Sequence, residues 1–350
     1  MPAPTRHLAM PARRPAPAAR RRLPAPTQHA TLPPRHPSAP ARRLLAPFAA
    51  LVSAALLLTG CGSGSAGSPG SGARIAAGSD AIPTTDVVSG IAKDPAAAKL
   101  LPAGVTRLTV AVAVGGTPPG TTYLADGTTL TGQDVDITKA AAKVLGIKLK
   151  IEQASFEAIL PALESGKYDF GASNFGVTDE RRRTIDFVTY VNDGQGFVTR
   201  KDSELARITD LRQLCGLNIA TGAGTTFEAT LEKNRHVCAD AGRKPYHVQT
   251  YAEQSAIWSS IQQGRSDVVM STINGLRYAV AHQPGLKFLN EYHRLDVGFA
   301  FKKGTPLAPA FRAAVNRLIA DGTYARILKK WGTTGSAIST SRISPPELKN

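Results

Sequence analysis

Cysteine, methionine and tryptophan are scarce in this chain, at 3, 3 and 2 of 350 residues. Three cysteines without a histidine cluster leave no zinc-binding spacing. His236, His247, His282 and His293 are scattered and read as ordinary surface residues. No metal and no cofactor is expected. No Ser-His-Asp or Cys-His set stands out for nucleophilic chemistry, and no internal repeat is visible. The apolar run at 44–58 is about fifteen residues, short of a comfortable membrane span. Acidic residues and lysine are absent from residues 1–60, which hold nine arginines. This imbalance inflates the formal charge of +16: taking nine from the 42 Lys and Arg leaves 33 against 26 Asp and Glu, about +7. So mild an excess gives little ground for a nucleic-acid partner.

What stands at the N-terminus is a repetitive Pro, Ala and Arg segment that cannot bury a core and is expected to be disordered. Arg42-Arg43, the apolar run and Leu58-Thr59-Gly60-Cys61 then compose a secretory signal: a basic region, an apolar region and a small-residue cleavage site. Leu-Thr-Gly-Cys resembles a bacterial lipobox, in which cleavage before Cys61 leaves it to be acylated, for example with palmitate. The plainer reading is an ordinary signal peptide with an incidental cysteine. The paired arginines also suit twin-arginine export, and Met10 is a second candidate start. Residues 61–80 read as a flexible tether. Export places Cys215 and Cys238 in an oxidising compartment, where a disulfide between them is expected.

The exported part alternates strand and helix patterns with short connections. A helical lead-in at 87–101 precedes a β-branched run, LTVAVAV, at 108–114. Apolar residues at helical spacing fill 136–145, stopped by Gly146. A strand at 147–151, an amphipathic helix at 156–163 and a strand at 168–172 follow. The stretch SNFGVTDERRRTIDF at 173–187 then offers Thr178 as a helix N-cap, with Arg181 in the first turn. Backbone N–H groups at such a start and an adjacent guanidinium can grip a carboxylate. On that stretch alone, arginines on a solvated helix face are an equal alternative.

After an extended segment at 187–199 the pattern restarts: a short helix at 208–214, a strand at 217–220, a glycine-rich turn at 221–228 and a helix at 227–233. A strand at 246–250, a helix at 253–263, a buried strand at 267–270 and a last strand at 297–301 come next. Helices at 307–320 and 324–331 precede a polar tail from Gly332, expected to be loose. Two strand-turn-helix series with small polar turns at strand ends imply an α/β protein of two lobes with a cleft between them.

Several segments in order resemble the bacterial extracytoplasmic solute-binding proteins of family 3, the polar amino-acid transporter group, in its actinobacterial lipoprotein branch. They are LTGQDVDI at 130–137, FEAILPALESGKYD at 156–169, the 173–187 stretch, Gly224-Thr225-Thr226, and DGTYARILKKWG at 321–332. The resemblance spans about 105–332. It implies a type II periplasmic-binding-protein fold with two crossover strands. Residues 81–104 would lead in, 105–198 with 297–332 would form lobe 1, 199–296 lobe 2, and 333–350 a tail. Hinges would lie at 198–200 and 295–297. The protein would capture an amino acid or related carboxylate and deliver it to an ABC permease and its ATPase, as a monomer held to the outer face of the cell membrane through Cys61.

Carried over by position, Arg181 would bind the ligand carboxylate, ringed by Ser173, Asn174 and the backbone of Gly176. Phe156 would offer an apolar face, and Thr225 and Thr226 would close from lobe 2. Thr117 and Gly120 stand where the family has aromatics, with Tyr123 as a candidate to refill that space. Gln133 replaces a common Phe. Thr272 occupies the site of the Asp that usually pairs with the α-ammonium, and Asp126, Asp193 or Asn274 are candidates to compensate. The ligand would then be an unusual amino acid, a derivative or an organic acid. Phe156 could equally be core packing, Thr225 and Thr226 simple helix caps, and Tyr190 and Trp258 core. An enzyme on the same fold is the alternative, with Glu157 or Glu228 as its acid or base. A sensor serving a membrane receptor is another.

Overall fold

The computed structural model describes residues 82–349. The leader at 1–60, Cys61 and the 61–80 tether lie outside the described residues.

The first series runs through α1 (Pro95–Ala98), β1 (Arg107–Val112), the hairpin β2 (Thr122–Tyr123) and β3 (Leu130–Thr131), α2 (Gln133–Leu145) and β4 (Lys148–Gln153). It continues with α3 (Phe156–Glu164), β5 (Phe170–Gly176) and the long strand β6 (Ile185–Arg200). The second holds β7 (Asn218–Gly222), α4 (Thr226–Lys233), α5 (Val237–Asp240), β8 (His247–Tyr251), α6 (Gln254–Gln262), β9 (Val268–Thr272) and α7 (Ile273–His282). The chain returns along β10 (Leu286–Lys302) and closes with α8 (Ala308–Ala320) and α9 (Thr323–Lys330).

Eight strands form one sheet in the order β4-β1-β5-β10-β6-β9-β7-β8. Its wings, β4-β1-β5 and β9-β7-β8, are parallel, as strand-helix-strand connections require. Between them β6 and β10 pair antiparallel along nearly their whole length. β10 joins the first wing through β5, and β6 joins the second through β9. Each long strand therefore crosses from one lobe to the other.

Each lobe has its own cores. In the first, α2, α8 and α9 cover one sheet face around Phe170, Phe299, Phe301 and Phe311, and α3 covers the other. In the second, Phe197, Leu214, Leu231 and Met270 fill one face, and Ile257, Ile261 and Leu276 the other. α2 shows how local sequence builds this: Ile137, Ala140, Ala141, Val144 and Leu145 point inward, and Gly146 ends the helix at φ 67°. Asp136 accepts bonds from Lys330 Nζ and Trp331 Nε1, both at 2.8 Å, which ties α2 to α9 across 194 residues of sequence.

Four local expectations are corrected. Only four residues of the lead-in are helical, because Asp94 caps a turn that starts at Pro95. Thr178 starts no α-helix: its hydroxyl accepts from Arg181 N at 3.2 Å and caps a single 3-10 turn, Arg181–Arg183. The last strand is seventeen residues long rather than five, and α7 was not anticipated. The tail is not loose. β6 has a partner on its second side only through Gln195–Thr199, which leaves backbone at 187–189 open. The tail covers it: Thr189 N donates to Arg342 O at 3.0 Å, Ser344 N to Phe187 O at 2.9 Å, and Ile343 bridges Val188.

Cys215 and Cys238 form a disulfide with Cα atoms 5.6 Å apart, and Cys238 lies in the second-lobe core. Replacing both by serine is expected to lower unfolding free energy by about 3 kcal/mol. The readout is the urea midpoint under non-reducing conditions. An unchanged midpoint would show that the crosslink adds nothing.

Candidate functional site

A cavity of about 540 Å³ opens where the strand ends of both lobes face each other, a size suited to a small molecule. All nine residues expected to meet a ligand line it: Thr117, Phe156, Ser173, Asn174 and Gly176, then Arg181, Thr225, Thr226 and Thr272. Their side chains do different things.

Arg181 reaches the cavity from the 3-10 turn after β5. Its Nη1 donates to Gly176 O at 3.1 Å and its Nη2 to Gly224 O at 2.9 Å, the latter on the other lobe. Its guanidinium carbon sits 6.0 Å from the centre of the Phe156 ring. Burial pulls the guanidinium down to about 10, so it remains a cation at neutral pH. Two bonds leave most of its five N–H groups available for an incoming anion.

Phe156 stacks on Phe175 with ring centres 5.0 Å apart while lining the cavity, so core packing and cavity wall are one position. Ser173 is largely engaged: its hydroxyl donates to Ala172 O and accepts from Ala113 N. Asn174 adopts φ 52° and donates from Nδ2 to Asp193 at 3.1 Å. Thr225 is the N-cap of α4, accepting from Glu228 N, and Thr226 packs its methyl towards Gly176. Thr272 caps α7, accepting from Gly275 N at 3.1 Å. Gly224, at φ +70°, brings the α4 turn against α3: a Cβ there would fall 2.6 Å from Cβ of Glu157.

Sequence reasoning missed other lining residues. Trp258, read as core, donates from Nε1 to Thr117 Oγ1 at 2.7 Å and so links the lobes across the cavity. Tyr123 also lines the cavity. Asp134 is buried in the first turn of α2 and accepts from Tyr190 Oη at 2.8 Å. Asp193 on β6 is fully buried and accepts from Asn274 N at 3.1 Å. Burial pushes Asp134 up to about 7 and Asp193 up to about 6. An acid in the first turn of an otherwise apolar helix was the available signal for Asp134. Asp126 is exposed on the β2–β3 hairpin, bound to Thr128 N and Thr129 N. Gln133 is buried, with Thr333 donating to its Oε1. Of the candidate catalytic acids, Glu157 is exposed and Glu228 accepts from Gly224 N at 2.7 Å.

The family model for bacterial extracellular solute-binding proteins, family 3, matches residues 109–334. The arginine-binding protein ArgT of Corynebacterium glutamicum is 28% identical over 220 residues, covering 62% of this chain and 72% of that one. The L-cystine-binding protein TcyJ of Escherichia coli is 26% identical over 229 residues, 64% of this chain and 83% of that one. A solved ancestral arginine-binding protein bound to arginine superposes with a TM-score of 0.57 at 31% identity, covering 64% of this chain and 97% of that chain.

Proposed function

The chain belongs to the bacterial extracellular solute-binding proteins, family 3, and from that premise we propose that it holds an amino acid or a close derivative in the cleft and releases it to an ABC permease. It is the substrate-binding component of an ABC importer, with a cytoplasmic ATPase behind the permease. The observation that carries the ligand class is a buried Arg181 in a cavity lined by both lobes.

In this reading the lobes comprise 105–198 with 297–332, and 199–296. They close about hinges at 198–200 and 295–297, where ligand shifts an open–closed equilibrium. Arg181 takes the carboxylate, with Asn174 and the backbone at Gly176 around it. Phe156 and Trp258 wall the side-chain end, and Thr225, Thr226 and Thr272 face it from lobe 2. The exported protein is a monomer anchored through an acylated Cys61, with 61–80 as the tether. Binding without turnover is the function, in line with relatives named for the amino acids they bind.

The test is thermal stabilisation against L-arginine, L-cystine, L-glutamine, other amino acids and organic acids. A ligand at a hundred times its Kd adds about 2.7 kcal/mol, which raises Tm by about 5–10 °C at this chain length. A well-folded protein that no amino acid or derivative stabilises would refute the proposal.

A further inference from the structure

Arg181, Asp134 and Asp193 line one cavity, and the hydrogen bonds they make there go to neutral groups. Arg181 donates to two carbonyls, Asp134 accepts from Tyr190, and Asp193 accepts from the Asn174 side chain and the Asn274 backbone. Buried charges are costly unless paired. Thr121, also on the cavity wall, is 3% exposed and its hydroxyl has no partner among the described residues. The wall is thus poised for a polar guest of mixed charge.

Where such a guest would place its cation follows from elimination. Thr272 is neutral and its hydroxyl caps α7. Asp126 is outside the cavity on the hairpin. The Asn274 side chain accepts from Ser336 Oγ at 3.1 Å, and Asn274 contributes no lining atom. Glu253 lines the cavity only as an exposed residue. The buried acids that line the cavity are Asp134 and Asp193.

We infer that Asp193, on the crossover strand β6, binds the cationic nitrogen of the ligand, with Asp134 beside it. The solute is then a zwitterion bearing a carboxylate and a protonated amine or guanidine, not a purely anionic acid. The inference rests on the reading of this cavity as the solute site. Asp193 is well placed for the role. It is tied to β5 through Asn174 and to the start of α7 through Asn274 N, so a cation seated on it is sensed by both lobes.

The same geometry makes binding depend on pH. Facing the two acids are Asn174 on β5, Tyr190 and Gly194 on β6 and the Asn274 backbone on α7. From β10 comes Arg294, itself bonded to Glu291. Burial has raised both acids, Asp193 to about 6. A cation favours the ionised carboxylate. Affinity is therefore highest above the raised values and falls as the acids protonate, by about tenfold per pH unit below 6 for one proton.

The experiment is calorimetric titration from pH 5 to 8 with probe pairs that differ only in the amine. The pairs are L-arginine with 5-guanidinopentanoate and L-glutamine with glutaramate, on wild type, Asp193→Asn, Asp134→Asn and Arg181→Ala. In wild type the amine-bearing partner is expected to bind about 30-fold or more tightly and to weaken on acidification. Asp193→Asn should bring the pair to near parity and flatten the pH profile. A residue that merely held the strands together would weaken both partners alike and leave the ratio unchanged. An unchanged ratio and pH profile in Asp193→Asn would overturn the inference. So would a glutaramate or other desamino probe that binds wild type as well as its amino acid. Arg181→Ala reports separately. Binding that survives it removes the carboxylate clamp without touching the role of Asp193, and binding lost in it leaves the clamp standing whatever Asp193 does.

Discussion

Arg181→Ala is expected to weaken ligand binding by about 30-fold to several thousand-fold, the range for removing one partner of a buried, hydrogen-bonded charge pair. Two effects combine. The carboxylate loses a planar fork that can bind it with two parallel bonds. The closed cleft also loses the bond from Nη2 to Gly224 O, which joins the lobes without any ligand. Arg181→Lys separates them: it keeps the charge but not the fork, so an intermediate loss is expected. Arg182→Ala is the neighbouring control. Arg182 binds Ser344 O and Asp179, on the face covered by the tail, and its loss should leave affinity unchanged. Equal affinity in Arg181→Ala and wild type, measured by calorimetry on folded protein, would refute the clamp.

The second large effect is expected at Gly194 on β6. It pairs with Arg294 of β10 and has φ +151°. A Cβ there would lie 2.1 Å from His293 O and 2.7 Å from Arg294 Cα. Both are backbone atoms of the partner crossover strand, so no side chain can swing aside. Gly194→Ala therefore combines a disfavoured φ with overpacking between the two long strands, about 3–5 kcal/mol together. At this chain length that lowers Tm by about 6–15 °C. The neighbouring Asp193 should shift with the strand, so affinity should fall as well. Gly104→Ala tests the conformational part alone. Gly104 has φ +81° with open space around it, so only about 1–2 kcal/mol is expected. If Gly194→Ala melts within about 2 °C of wild type, the close approach of β6 and β10 is not what sets strand spacing there.

Much of this architecture was legible locally. LTVAVAV is a β-branched run between glycines, and it is β1. The stripe at 137–145 is α2, and Gly146 ends it because a left-handed residue without Cβ closes a helix cheaply. The clamp at 173–181 was visible because its residues are consecutive: a strand end, a tight turn and an arginine need only short-range geometry to meet. Elements without such periodicity were missed. The first half of β10, LKFLNEYHR, alternates poorly because β6 pairs with it along its length and neither face is simply core or solvent. α7 was hidden by Asn274 and Gly275 in its first turn, poor helix formers that here follow the Thr272 cap.

What the sequence by itself determined was the order of the elements, the two-lobe α/β class and the residues of the first-lobe turn, because periodicity, capping and steric preference act over a few residues. Tertiary structure alone decided which distant groups share the cavity. Asp134 and Asp193 stand fifty-nine positions apart, and Trp258 meets Thr117 across 141 residues of sequence. Those meetings depend on how the parallel wings register against β6 and β10, and register is set by burial over the whole sheet. The docking of the tail has the same cause: its polar residues carry no apolar signal, and they are held by backbone groups of β6 that only the assembled sheet leaves open.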